Sequence, residues 1–177
     1  MVRSAFLSIL WGMLIVAVDI RPSDGPLGGF DLLIPDTVGY VLIITALRRL
    51  SREGADFARA IPYASVEAVL SIPTTLGLDP GYVFSVSLIA LDTITVWYLG
   101  TGIMRMAAER GNGDLASVAE NRRKLYCLAA LGSLTLSSLG LVSTNLAALL
   151  VLPVVALTLT SVLLVVLLIR RTSLEIS

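Results

Sequence analysis

Two carboxylates stand alone in long apolar surroundings: Glu67 in IPYASVEAVLSIP and Asp92 in FSVSLIALDTITVW. A helix carrying Glu67 puts Tyr63, Ser71 and Thr74 on the same face at three- or four-residue spacing, a polar stripe on an apolar rod. A helix carrying Asp92 sets Ser85 and Thr95 on roughly its face and turns Thr93 elsewhere. The connection Leu78-Asp79-Pro80-Gly81 has tight-turn chemistry, so the two helices are expected to be antiparallel neighbours. Reflection about the Asp79–Pro80 bond carries position 67 onto position 92, about 19 Å from the turn at about 1.5 Å per residue. Two acids meeting in an apolar medium do not both ionise without a cation. Either one is protonated and shares a hydrogen bond, or a metal ion or cationic ligand lies between them. The plainer expectation is that each is a protonated acid bonded to a hydroxyl or carbonyl, joining helices.

Other chemistry is scarce. The chain has no His, and Cys127 is its one cysteine, so the common zinc, haem, Cys–His and Ser–His–Asp sites lack their residues. A single cysteine also allows no internal disulfide. There is no G-x-S-x-G and no phosphotransferase-type acidic cluster. An intramembrane enzyme using the two acids for acid–base work or a metal therefore ranks last, and no cofactor is expected. The formal net charge is zero, with no basic stripe to take nucleic acid.

The elements that must position these acids read as membrane spans. Of 177 residues, 56% are hydrophobic and 15% charged, against about 45–50% and about 25% in soluble domains. Crossing a hydrocarbon core takes about 20 apolar residues. Six runs approach that length, at about 4–19, 30–47, 61–78, 81–106, 125–142 and 146–169. The first resembles a secretory signal, but it ends Ala17-Val18-Asp19-Ile20 with no small-x-small cleavage site, so a retained span is expected. The third is the weakest, holding Glu67, Pro73 and several hydroxyls.

The basic residues orient these spans. With the N-terminus inside, Arg3, the 48–59 and 105–124 connections and Arg170-Arg171 lie inside, leaving only Arg21 of 13 cations outside. The outer connections hold Asp19, Asp24, Asp31, Asp36 and Asp79 instead. Omitting the third span would strand Arg122-Arg123-Lys124 on the wrong side. The expected fold is thus an all-α, polytopic helical bundle of about six transmembrane helices forming a single domain, both ends cytoplasmic, in a cell inner membrane. Six spans fit three hairpins or two inverted halves, and no internal repeat decides between them. Small residues recur every four positions at Ser4, Ser8 and Gly12 and at Ala129, Ser133 and Ser137, a spacing that lets membrane helices approach closely. Contacts inside one bundle explain these stripes more simply than a docking surface for another protein or a second copy.

Residues 30–40 read FDLLIPDTVGY, before the apolar VLIITAL and Arg48-Arg49. Phe30, Asp31, Pro35, Asp36, Gly39 and Tyr40 carry a pattern that resembles a motif of small multi-pass bacterial membrane proteins of uncharacterised function, roughly F-D-[IL]-[IL]-P-D-x-[IV]-G-Y. The likeness covers some twenty residues, with Thr37 where a bulkier residue is usual. It implies a bacterial membrane protein and no specific activity. In physical terms, Pro35 suits the first turn of a helix and Asp36 complements its positive end. Phe30 to Ile34 is too short to span and too apolar for water, so it is expected to lie at the outer interface or dip into the bundle. The motif then serves as an N-cap with an interfacial anchor, or as an outer lid over a site.

Two functions follow. One is a small membrane protein that binds or transports a cation, a proton-coupled solute or a small molecule through a polar site between the third and fourth helices. Six spans in 177 residues also match the size of the substrate-binding membrane subunits of vitamin importers, though no motif supports that likeness. The other is a non-transporting membrane subunit or scaffold that docks a partner through its small-residue faces.

Overall fold

The computed structural model describes residues 2–17, 36–75, 81–142 and 144–176. These form six α-helices and no strand: α1 (Val2–Ala17), α2 (Asp36–Leu50), α3 (Ala55–Thr75), α4 (Tyr82–Glu109), α5 (Gly113–Val142) and α6 (Thr144–Glu175). Local chemistry explains several of their ends. Asp36 in the first turn of α2 and Arg48 and Arg49 in its last turn complement the helix dipole. Gly111, with φ of 75°, ends α4 in a Schellman motif. There Gly111 N–H donates to Ala108 and Asn112 N–H donates to Ala107. The Asn112 side chain then accepts from Leu115 N–H at 3.0 Å, capping α5. Inside the apolar helices, hydroxyls such as Thr45, Ser65, Thr101 and Thr135 donate to the carbonyl one turn back, so few stand unbonded in apolar surroundings.

Each helix packs on its neighbours in chain order, and α1 also packs on α6, closing the set into a ring. Paired residues step in opposite directions along adjacent helices. On α3 and α4, Asp56 meets Arg105, Phe57 meets Gly102, Tyr63 meets Tyr98 and Glu67 meets Thr95. On α4 and α5, Tyr82 meets Ser138 and Thr101 meets Arg123. The array is therefore antiparallel, up and down. The closest approach is at Gly12 and Gly39, where a Cβ on either would lie 2.6 or 2.7 Å from the other's carbonyl oxygen. Only glycine on both sides lets α1 and α2 meet there.

One end of the ring is densely packed. Phe6, Leu47, Leu50, Phe57, Ile103, Leu115, Leu168 and Ile169 are fully buried near it. Phe6 meets Phe57 edge-on at 6.3 Å. The same end is laced by polar contacts. Buried Asp56 pairs with Arg105 at 2.7 Å and Arg59 at 3.5 Å. Arg110 donates to Ile176 O at 2.6 Å and pairs with Glu53 at 3.3 Å. Arg171 pairs with Asp114 at 2.6 Å. Both described chain ends and the α2–α3 and α4–α5 connections thus share one end.

The outer surface is strongly apolar, with Leu152, Leu159 and Leu163 of α6 and Val83 of α4 exposed. Two stretches, Tyr82–Glu109 and Leu150–Glu175, are long and apolar enough to cross a membrane, and α1 is a shorter apolar helix. Helices run further at the basic end than the apolar runs alone imply: α3 begins at Ala55, α5 at Gly113, and α6 continues to Glu175. Charged first and last turns extend an apolar helix without changing its hydropathy signal, which is why only the apolar part is legible.

Candidate functional site

The two acids sit on adjacent antiparallel helices, offset by about one turn. Glu67 is 1% exposed. The Thr95 hydroxyl lies 3.3 Å from each of its carboxyl oxygens and donates to it. Asp92 lies three residues before Thr95, on the same side of α4, and accepts a hydrogen bond from the Tyr126 hydroxyl of α5. Reflection about Asp79–Pro80 pairs 67 with 92. In the structure 67 pairs with 95, so the register is shifted by three residues, just under one turn. Glu67 thus meets α4 one turn from Asp92, and Asp92 shares the wall of one cavity with Tyr40 of α2.

Asp92 and Tyr126 stand between two cavities. The first, about 260 Å³, is lined by Met13 and Val16 of α1, Tyr40 and Ile43 of α2, Leu88, Ile89 and Asp92 of α4, Tyr126 of α5 and Val162 of α6. Contributions from five helices put it inside the ring. The second, about 270 Å³, is lined by Ile89, Asp92, Thr93, Tyr126, Ala129, Ala130, Ser133, Thr158 and Ser161 of α4, α5 and α6. Its hydroxyls are bonded across the helices, with Ser133 and Thr158 at 3.1 Å. Neither cavity has a Lys or Arg among its lining residues. Among the described residues, no group of three or more His, Cys, Asp or Glu gathers to hold a metal ion.

The nearest cation on α5 is Arg123, one turn from Tyr126, and it is engaged elsewhere. Its Nη1 donates to Thr101 at 2.5 Å and its guanidinium lies 3.9 Å above the Trp97 ring. Gly100 leaves room for its stem, since a Cβ there would sit 3.1 Å from Arg123 Cβ. Among the described residues, the acids thus face hydroxyl donors and no ammonium or guanidinium.

The expected polar stripe of α3 divides. Glu67 turns to α4 and meets Thr95 beside Asp92. Tyr63 stacks on Tyr98 at 5.8 Å, one turn toward the basic end. Ser71 turns to α2, its hydroxyl 3.0 Å from that of Thr37, and donates to Ala68 O. Ser85 is exposed and bonds to Gly81 O, so it joins no site. Thr93 opens into the second cavity, away from Glu67. The side chain of Thr74 lies outside the described residues, as do Phe30, Asp31 and Pro35. The rest of that motif is built into the bundle: Asp36 opens α2, Gly39 makes the crossing with α1, and Tyr40 lines the first cavity.

Tyr126 is the group that the sequence alone does not single out, because a tyrosine in an apolar helix is ordinary. A reflection of the chain about Glu109–Arg110 carries 126 onto 93, and that step would have found it. Of the small-residue stripes, Gly12 packs on α2 and Ser133 bonds to α6, while Ser4 is exposed. Comparison of the chain with family models, with curated proteins and with solved structures finds no match.

Proposed function

We propose that this chain is a six-span protein of a bacterial inner membrane, both ends cytoplasmic, that binds or carries a cation or a proton-coupled solute at Glu67 and Asp92. The observation that carries the reading is the acid pair itself. Two carboxyl groups on neighbouring helices lie about one turn apart in register, one is fully buried and the other opens on two cavities, and no positive side chain among the described residues lines either cavity. Acids inside membrane spans are costly and tend to mark pathways. Joined by hydrogen bonds alone, they would need no cavity beside them.

The membrane reading rests on two apolar helices of spanning length, an apolar outer surface, and the gathering of cations at one end. At that end Arg48, Arg49 and Arg52, with Thr45, line a cleft of about 580 Å³ and make no ion pair among the described residues. Uncompensated arginines there fit the cytoplasmic interface of the positive-inside rule. The alternative of a partner-docking scaffold is weakened, since the ring occupies Gly12 and Ser133.

The test uses purified protein in nanodiscs, with binding of radioactive sodium and rubidium and proton release on binding as readouts. Glu67→Gln and Asp92→Asn should each reduce binding at least tenfold, and the double variant should lose no more than the worse single one. Binding that is unchanged in both variants, or absent in the wild type together with any proton exchange, overturns the proposal.

A further inference from the structure

The cavity beside Asp92 has walls unsuited to a hard divalent cation. A hard divalent cation takes six to eight oxygen ligands, and this space offers one carboxylate and two phenols, the remainder being aliphatic or thioether groups. An anion would find no positive side chain among the described lining residues. Tyr126 donates to the acid, and Tyr40 lines the same space. Aromatic faces and a carboxylate within an apolar chamber are what an ammonium with hydrocarbon substituents pairs with. The volume, about 260 Å³, lies below the roughly 300–1,000 Å³ of drug-sized sites, so the ligand is compact.

We propose that this chamber binds a small organic ammonium with apolar substituents, its charge on Asp92 and its hydrocarbon against Val16, Ile43 and Val162. This rests on the reading that the acid pair is a cation site, and it names the class of cation. Binding exchanges one positive charge for another: the ammonium pairs with the Asp92 carboxylate, and the proton that Asp92 carried leaves to water. The groups facing Asp92 are Tyr126 from α5, Glu67 from α3 and Tyr40 from α2. The lining residues from α1 and α6 are Met13, Val16 and Val162, which do not titrate. Arg123 is held by Thr101 and Trp97.

Tetrapropylammonium is the probe, titrated into the full chain in nanodiscs by calorimetry in buffers of different ionisation enthalpy. Saturable binding that releases about one proton per cation is expected, weakening as pH falls because protons compete. Asp92→Asn should reduce affinity at least tenfold, with partial recovery in Asp92→Glu. Val16→Trp fills the chamber and leaves both acids in place, so it should abolish tetrapropylammonium binding while sodium, rubidium or proton binding persists. Val162→Phe serves the same purpose where Val16→Trp does not fold. Rubidium or proton binding in the wild type without tetrapropylammonium binding overturns this inference and leaves the cation site standing. Binding of tetrapropylammonium that survives Asp92→Asn or the filled chamber overturns it as well. Loss of every cation and of proton exchange in the wild type overturns both.

Discussion

Thr95 is the residue on which the buried acid depends. Its hydroxyl is the donor that Glu67 meets on α4, and Glu67 is 1% exposed. Thr95→Val keeps the shape and removes the donor, leaving a buried carboxyl group short of a partner at a cost of about 1–3 kcal/mol. The melting temperature in detergent should fall accordingly. In the Glu67→Gln background the same change should cost less, because the charged or acidic group that needed the donor is gone. Equal losses in both backgrounds would mean that Thr95 acts by packing alone. Glu67 and Asp92 are legible in the sequence because charge in an apolar run is rare and costly. Tyr126 is not, because phenols are at home at helix–helix contacts and only the fold reveals its bond to Asp92, while Tyr40 is legible as part of the motif but not as a wall of the Asp92 cavity. Ser71 misleads in the opposite way: it shares a stripe with Glu67 in projection, yet a helix with neighbours on two sides divides such a stripe between them.

At the scale of elements, helix pairing is readable from turn chemistry, and register is readable to about a turn. Reflection about Asp79–Pro80 finds the right partner helix and misses the level of Glu67 by three residues, because it assumes a connection of minimal length and straight helices. The α3 helix contains Pro62 and Pro73, each removing a backbone donor, so uniform rise is a poor assumption there. The α1–α2 crossing makes a sharper prediction. A Cβ at Gly12 would lie 2.6 Å from Gly39 O and 2.7 Å from Ile43 Cγ1, so Gly12→Ala must push two helices apart. Overpacking of this kind costs about 1–3 kcal/mol. Gly113→Ala, where a Cβ meets nothing within 4 Å, is the control and should leave the melting temperature near that of the wild type. At the basic end, hydrogen bonds from Arg171 and then Asn112 hold the Glu175 carboxyl below its ordinary value. A depressed carboxyl stabilises the fold above its unfolded value of about 4.3 and loses that contribution as pH falls through the folded value. Glu175→Gln should therefore melt slightly lower than wild type at neutral pH, and the two should converge in acid. A gap that persists at the lowest pH would assign the effect to something other than the ion pair.

For the whole molecule, closure of the ring by α1 on α6 is the feature no local pattern carries, since it joins the two ends of the chain. Both α1 and α6 contribute walls to the first cavity. The up-and-down order brings the start of α1, the α2–α3 and α4–α5 connections and the end of α6 to one side. With the cations there, that side should be the cytoplasm. Replacement of Cys127 leaves a cysteine-free background, in which single cysteines report sidedness to an impermeant thiol reagent. Gly113 and Leu174 are exposed at the basic end, and cysteines there should react only after lysis. Ser173 would be a poor reporter, being 2% exposed. Asn145, at the start of α6 on the opposite end, is exposed, and a cysteine there should react in intact cells, as should one at Asp79 in the α3–α4 connection. Asp79 is the decisive position. If α3, whose apolar run Glu67 interrupts, does not cross, Asp79 and Gly113 exchange their expected behaviour. Labelling of position 113 from outside would then remove Glu67 from the membrane and with it the premise of an enclosed acid pair.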